Sequence, residues 1–212
     1  MIARESYISI IKKMIENIQA LITVLQARIC SYHEMFSLPL IAEQWEEVLH
    51  RSFRDLGINT TWNPNRSHKV GEDMRLQGIE NSRISCKSGT IQSRRTQVKF
   101  NGGRSTSFST LEGILNHFSG DHEDLYVLLS KKESSKKKPF DMKYQLLIFP
   151  SSLCKPNLLE WTETRGGWKG TGNFQATITR KMSNQLWTTL PLDLIEHKYE
   201  IDCSSVQLYN SA

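Results

Sequence analysis

Gly71-Glu72-Asp73-Met74-Arg75, followed after a polar interval by Ile84-Ser85-Cys86-Lys87-Ser88-Gly89, is the stretch on which the fold turns. Two strand-like pieces, Glu72 to Leu76 and Ser82 to Lys87, meet near Gly78, which predicts a hairpin. Strand side chains alternate, so Ser85 and Lys87 share one face and Cys86 points into the layer behind. Asp73 stands on the adjoining arm, within reach of the same spot. An acid, a hydroxyl and a lysine converge.

Upstream, Pro39 opens a helix over roughly 40 to 56. Its apolar residues Ile41, Trp45, Val48, Leu49, Phe53 and Leu56 recur at helical spacing until Gly57 stops it. Glu46 lies beside that apolar face. Further upstream, Ile8, Ile11, Ile15, Ile18, Ile22, Leu25 and Ile29 step alternately by three and four, a heptad stripe on a long helix from about Arg4 to Cys30. Ile10, Met14, Leu21 and Val24 widen the stripe, leaving two uses open: packing on its own domain, or a seam between two subunits.

Downstream, Ile58 to Trp62 reads as a strand and Ser109 to Phe118 as a helix capped by Ser109 or Thr110. Leu125 to Leu129 and Lys143 to Phe149 read as strands around a lysine-rich tip, Lys131 to Lys138. The last third holds Gly166, Gly167, Gly170 and Gly172, then an alternating Phe174, Ala176, Ile178 strand. The order predicts an α/β fold in one domain spanning 1–212. Residues 1–30 form a scaffold or dimerisation helix, 40–150 a catalytic core, and 151–212 strands and loops suited to recognition.

With 212 residues, 27 Lys+Arg against 22 Asp+Glu and 38% hydrophobic residues, the chain is a globular protein whose net charge of +5 leans toward an acidic partner. No apolar run approaches the roughly 20 residues of a membrane helix, and Glu5 and Glu16 stand where a secretory leader has no acids. No membrane association is expected. Cys30, Cys86, Cys154 and Cys203 are widely spaced with no CxxC pair, which argues against a zinc ribbon or a disulfide framework and favours the cytoplasm. The six histidines show no metal-ligand spacing.

A carboxylate offers hard oxygens to Mg2+, and a lysine ammonium beside it can orient water or offset phosphoryl charge, so the grouping suits phosphodiester hydrolysis. Glu46 is the candidate second acid. Taken singly, an Asp after Gly, a strand Lys and a helix Glu are ordinary solvated residues; their combination, order and spacing carry the argument.

The run from Glu46 to Gly89 resembles the PD-(D/E)XK nuclease superfamily. Its restriction-endonuclease branch is the nearest likeness, because Ser85 to Gly89 is followed by Asn101-Gly102-Gly103-Arg104-Ser105 and Thr110-Leu111-Glu112. The resemblance spans roughly residues 40 to 120. It implies a central mixed β-sheet flanked by helices, here with the extra N-terminal helix, and a site of Asp73, Lys87 and Glu46. Mg2+ would be held by Asp73, Glu46 and the backbone carbonyl of Cys86. Two positions depart from the family pattern: Glu72 replaces the proline before the aspartate, and Ser85 replaces the acid two before the lysine. Glu46, and after it Glu72 or Glu112, are candidates to make good the missing acid.

Arginine can fork onto guanine and glycine lets a backbone approach phosphate, so Arg94, Arg95, Gln97, Lys99, Arg104 and Ser105 are candidate DNA contacts. Arg104 ranks first, and Arg165 and Lys169 in the glycine-rich stretch form a second group. The resemblance further implies a type II restriction endonuclease cutting double-stranded DNA at a short palindrome, a homodimer matching the twofold DNA, and a cognate DNA methyltransferase in the cell. A structure-selective or repair nuclease of the same superfamily is one alternative. A DNA-binding module with a decayed site is the other, and Ser85 is the residue that favours it.

Overall fold

A computed structural model describes residues 12, 14, 16–62, 73–78, 82–92, 96–120, 125–132, 143–180 and 183–203. Helix α1 spans Ile18–Met35, and α2 spans Ala42–Asp55. Strands β1 (Thr60–Trp62), β2 (Met74–Leu76), β3 (Arg83–Ile91) and β4 (Gln97–Ser105) follow, then helix α3 (Leu111–Ser119). The remaining strands are β5 (Leu125–Lys132), β6 (Lys143–Pro150), β7 (Glu160–Thr164), β8 (Gly167–Thr171), β9 (Gln175–Arg180), β10 (Asn184–Pro191) and β11 (His197–Asp202).

All eleven strands join one mixed sheet in the order β11-β6-β5-β3-β4-β10-β9-β8-β7, with β2 also on β3 and β1 on β2. The fold is α/β, as the element order predicts. β3 and β5 run parallel, Ile84 opposite Leu125 through Ile91 opposite Lys132, because β4 returns the chain antiparallel to β3 and α3 then leads it into β5. β5 is buried on both faces, which explains its apolar Leu125-Tyr126-Val127-Leu128-Leu129 run.

Each face of the sheet has its own core. On one, Trp45, Leu49 and Phe53 of α2 and Leu21, Leu25 and Ile29 of α1 pack on Ile84, Cys86, Val127, Leu129 and Leu146. On the other, Ile114 of α3 packs among Val98, Phe100, Leu128, Leu147, Ile178 and Leu190. The Trp45 indole also donates to Val127 O at 3.1 Å, fixing α2 in register over β5. At the start of α2, the Gln44 side chain folds back to accept from Ile41 N–H at 3.1 Å.

Several expectations need correction or extension. α1 continues past Cys30 to Met35, since His33 is buried and keeps the inward face going. Ile8, Ile11 and Ile15 lie outside the described residues. Ile18, Leu25 and Ile29 of the stripe, and Leu21 beside them, are at most 8% exposed, so that part of the helix serves its own domain's core. Cys30 is disulfide-bonded to Cys203 across 173 positions, against the expectation of unpaired cysteines: spacing along the chain says nothing about proximity in space. Of the other two, Cys86 and Cys154 are free and buried. In the glycine-rich stretch, Gly166 lies in the turn of the β7–β8 hairpin, Gly167 and Gly170 lie on β8, and Gly172 follows its end. Among the described residues no helix is long and apolar enough to cross a membrane.

Candidate functional site

The site lies where the sheet forks. Along one edge of β3, Arg83 and Ile84 pair with β2, while Gly89 to Ile91 pair with β4. Ser85 to Ser88 face the opening between the two partners, and Asp73 occupies it. Asp73 N–H donates to Ile84 O at 3.0 Å, holding the residue at the head of β2. Its Oδ2 accepts the backbone N–H of Cys86 at 2.6 Å and the hydroxyl of Ser85 at 3.2 Å. Both of these bonds fall on one oxygen, which leaves Oδ1 for another partner.

Ser85 is fully buried, so the hydroxyl in the place of an acid positions Asp73. Lys87, two residues on, projects from the same face of β3, its Nζ 5.5 Å from the ring centre of Tyr126. That ring packs edge-on against Phe100 and Phe149, so the lysine stem lies over a firm aromatic floor. Cys86 points the other way into the α2 layer, 4% exposed. Burial above all, with the Asp73 charge next, pushes its thiol well above the usual range, which makes it unreactive. A strand residue sends its N–H and C=O to the same edge; Cys86 N–H meets Asp73, so its carbonyl also faces the opening.

Glu46 comes from the opposite layer. It follows the buried Trp45 on α2 and is half-buried at the rim of that helix. Burial first, and the Asp73 carboxylate second, raise its pKa to about 7; the indole of Trp62 and the Lys87 ammonium oppose the rise. The Trp62 Nε1 is itself buried, and among the described residues no acceptor lies at hydrogen-bond distance from it. The Glu46 carboxyl, the Asp73 carboxylate with an Oδ1 that bonds no described residue, and the Cys86 carbonyl form an oxygen donor set that fits a hard divalent cation. Among the described residues no three of His, Cys, Asp and Glu gather in a metal-holding group, so protein ligands would number two acids and the carbonyl.

The candidate DNA contacts are placed less uniformly. Arg94, Arg95 and Glu72 lie outside the described residues. Lys99 and Arg104 are exposed on β4, Gln97 is half-buried, and Ser105 is only 2% exposed, its hydroxyl turned inward. Arg165 is exposed in the turn between β7 and β8, and Lys169 is exposed on β8. β4 pairs with β10 and β8 with β9, so the two groups sit three strands apart in the sheet. Glu112 is exposed on the first turn of α3.

Trp62 and Tyr126 escape the sequence pattern. The first follows a Thr-Thr strand and the second begins an apolar one, so each reads as core until the sheet brings it beside an acid or a lysine. No family model, no curated protein and no solved structure matches the chain.

Proposed function

We propose that this protein is a Mg2+-dependent endonuclease of the PD-(D/E)XK type, a type II restriction endonuclease acting as a homodimer on a short palindrome in double-stranded DNA. The observation that carries the proposal is the Asp73 carboxylate, held in the fork of the sheet by Ser85 and Cys86, with Lys87 on the same strand and Glu46 electrostatically coupled to it. The order of parts follows the resemblance, a helix acid, an aspartate opening a strand pair and a lysine on the next strand, with Ser85 standing where the family has an acid two before that lysine. The net charge of +5 is in keeping with a nucleic-acid substrate.

The chemistry that Mg2+ would supply when bound is an activated water and polarisation of the phosphate. Asp73 and Glu46 would hold it, with the Cys86 carbonyl as a third oxygen. Ser85 keeps Asp73 aimed. The Lys87 ammonium, anchored along Tyr126, orients the attacking water and offsets charge building on the phosphoryl oxygens. In the cell, a cognate methyltransferase would protect the host's own sites.

Plasmid or phage DNA incubated with the purified protein tests this directly. Discrete fragments with Mg2+ and none with EDTA support it. D73N and K87A should each abolish cutting while retaining binding in a gel shift. A smear in place of bands would move the assignment to a nonspecific or structure-selective nuclease. Normal cutting by both variants would overturn the site.

A further inference from the structure

Next to the fork, on the α2 side of the sheet, lies a cavity of about 490 Å³ that the metal-site chemistry does not use. Its volume falls within the range of small-molecule pockets. Ser88 and Thr90 of β3 lie on its floor, Lys99 and Lys131 of the two neighbouring strands bring cations, and Trp187 of β10 supplies an aromatic wall. Ala42, at the first turn of α2, closes the near side. Among the described residues no acidic side chain lines it.

The composition specifies a ligand. Lys99 Nζ lies 5.5 Å from the Trp187 ring centre, so a cation and a flat π surface face the same space. A flexible lysine stem can leave the ring for a phosphate, while the indole presents a stacking platform that any nucleobase fits. Two ammonium groups, two hydroxyls and the positive end of the α2 dipole, set against the one exposed carboxylate of Glu43 on that first turn, favour an anion. Together they describe a nucleoside phosphate.

Position says which one. Ala42 and Glu46 are four apart on α2 and therefore share one face, a single turn from each other. Ser88 lies two residues past Cys86 on β3 and shares its α2-side face. The cavity thus begins where the candidate metal site ends. We infer that it receives an unpaired nucleotide of the DNA strand, turned out of the stack beside the phosphate to be cut. This rests on the nuclease proposal for its substrate. A free nucleotide shares the same chemistry, and the two sources are separable.

The experiment is performed in EDTA, so that it does not depend on cleavage. Wild-type protein is titrated with a fluorescent 5′-phosphorylated oligothymidylate, a blunt duplex of the same length, and thymidine monophosphate, following anisotropy for the first two and tryptophan fluorescence for the last. Expected is tighter binding of the single strand than of the mononucleotide, weakened about tenfold or more by W187A and restored by W187F. K99Q and K131Q should each weaken binding several-fold and flatten its salt dependence. Circular dichroism melts confirm that the variants fold. Binding of the single strand that is indifferent to Trp187, Lys99 and Lys131 overturns the assignment. So does binding of the mononucleotide with exclusion of the strand, which would make the cavity a small-nucleotide site. Failure of the nuclease proposal looks different: no Mg2+-dependent cutting, with Trp187-dependent strand binding intact.

Discussion

Glu46 holds the site's least comfortable charge, and its protonation has a measurable sign. A carboxyl whose pKa rises from 4.5 to about 7 on folding binds its proton more tightly in the native state. Its contribution to stability is complete below pH 4.5 and is lost as pH climbs through about 7. E46Q should therefore match wild type at pH 4 and exceed it at pH 8 by about 1 to 2 kcal/mol after solvent screening, in urea unfolding. Adding Mg2+ at pH 8 should raise the wild type and leave E46Q unmoved; equal responses would remove Glu46 from the metal ligands. Gly167 makes a different single-residue case. At φ +147° an added Cβ would sit 1.8 Å from Ile178 O, whereas at the neighbouring Gly166 nothing lies within 4 Å. G167A should cost about 3 kcal/mol or more and G166A close to nothing in the same assay. Equal effects would contradict the β8–β9 register.

Elements show where sequence periodicity suffices and where it fails. α2, α3, β5 and β6 were legible because α2 and α3 carry apolar residues at helical spacing and β5 and β6 carry dense apolar runs, and the Thr110 cap of α3 does accept from Gly113 N–H at 3.2 Å. β4 and β8 were not. Their glycines resemble loop punctuation, yet a Cβ at Gly170 would meet the Trp161 ring at 2.9 Å and one at Gly102 would meet Leu186 at 2.9 Å. Glycine is there because a cross-strand neighbour fills the space, which is information the local sequence does not carry. The candidate site divides likewise: Asp73, Lys87 and Glu46 were picked out by residue type and order, but that Trp62 and Tyr126 lie beside them depends on strand pairings far apart in sequence. α1 illustrates a polar anchor hidden in an apolar stripe. His33 Nδ1–H donates to Phe36 O at 3.0 Å, and its Nε2 accepts from Tyr144 OH at 2.7 Å, which fixes a neutral ring. Burial, with help from Lys131, lowers its pKa below 6.5. The stability it contributes is present above pH 6.5 and lost as pH falls through the lowered pKa. H33Q should flatten the pH dependence of unfolding between pH 7.5 and 5, and an unchanged slope would assign that dependence to other groups.

At the scale of the molecule, the sheet is long and its two cores lie on opposite faces, so something must hold the first described helix to the last strand. β11 is the outer strand beyond β6, with Tyr199 opposite Leu146 and Ile201 opposite Tyr144, and α1 crosses beside it. The Cys30–Cys203 bridge fastens these ends across 173 positions. Closing so long a loop restricts the unfolded chain far more than the folded one, an effect of about 2 to 5 kcal/mol. Cys86 and Cys154 give no such bridge, since both are buried and free. Thiol titration of the oxidised protein should then find no reactive thiol while native, two after denaturation, and four after denaturation with reductant. Reductant should lower the urea midpoint of wild type to that of C30S, whose own midpoint reductant should leave unchanged. Four thiols without reductant, or a C30S midpoint equal to that of oxidised wild type, would mean that α1 and β11 are held by the apolar core and not by the bridge.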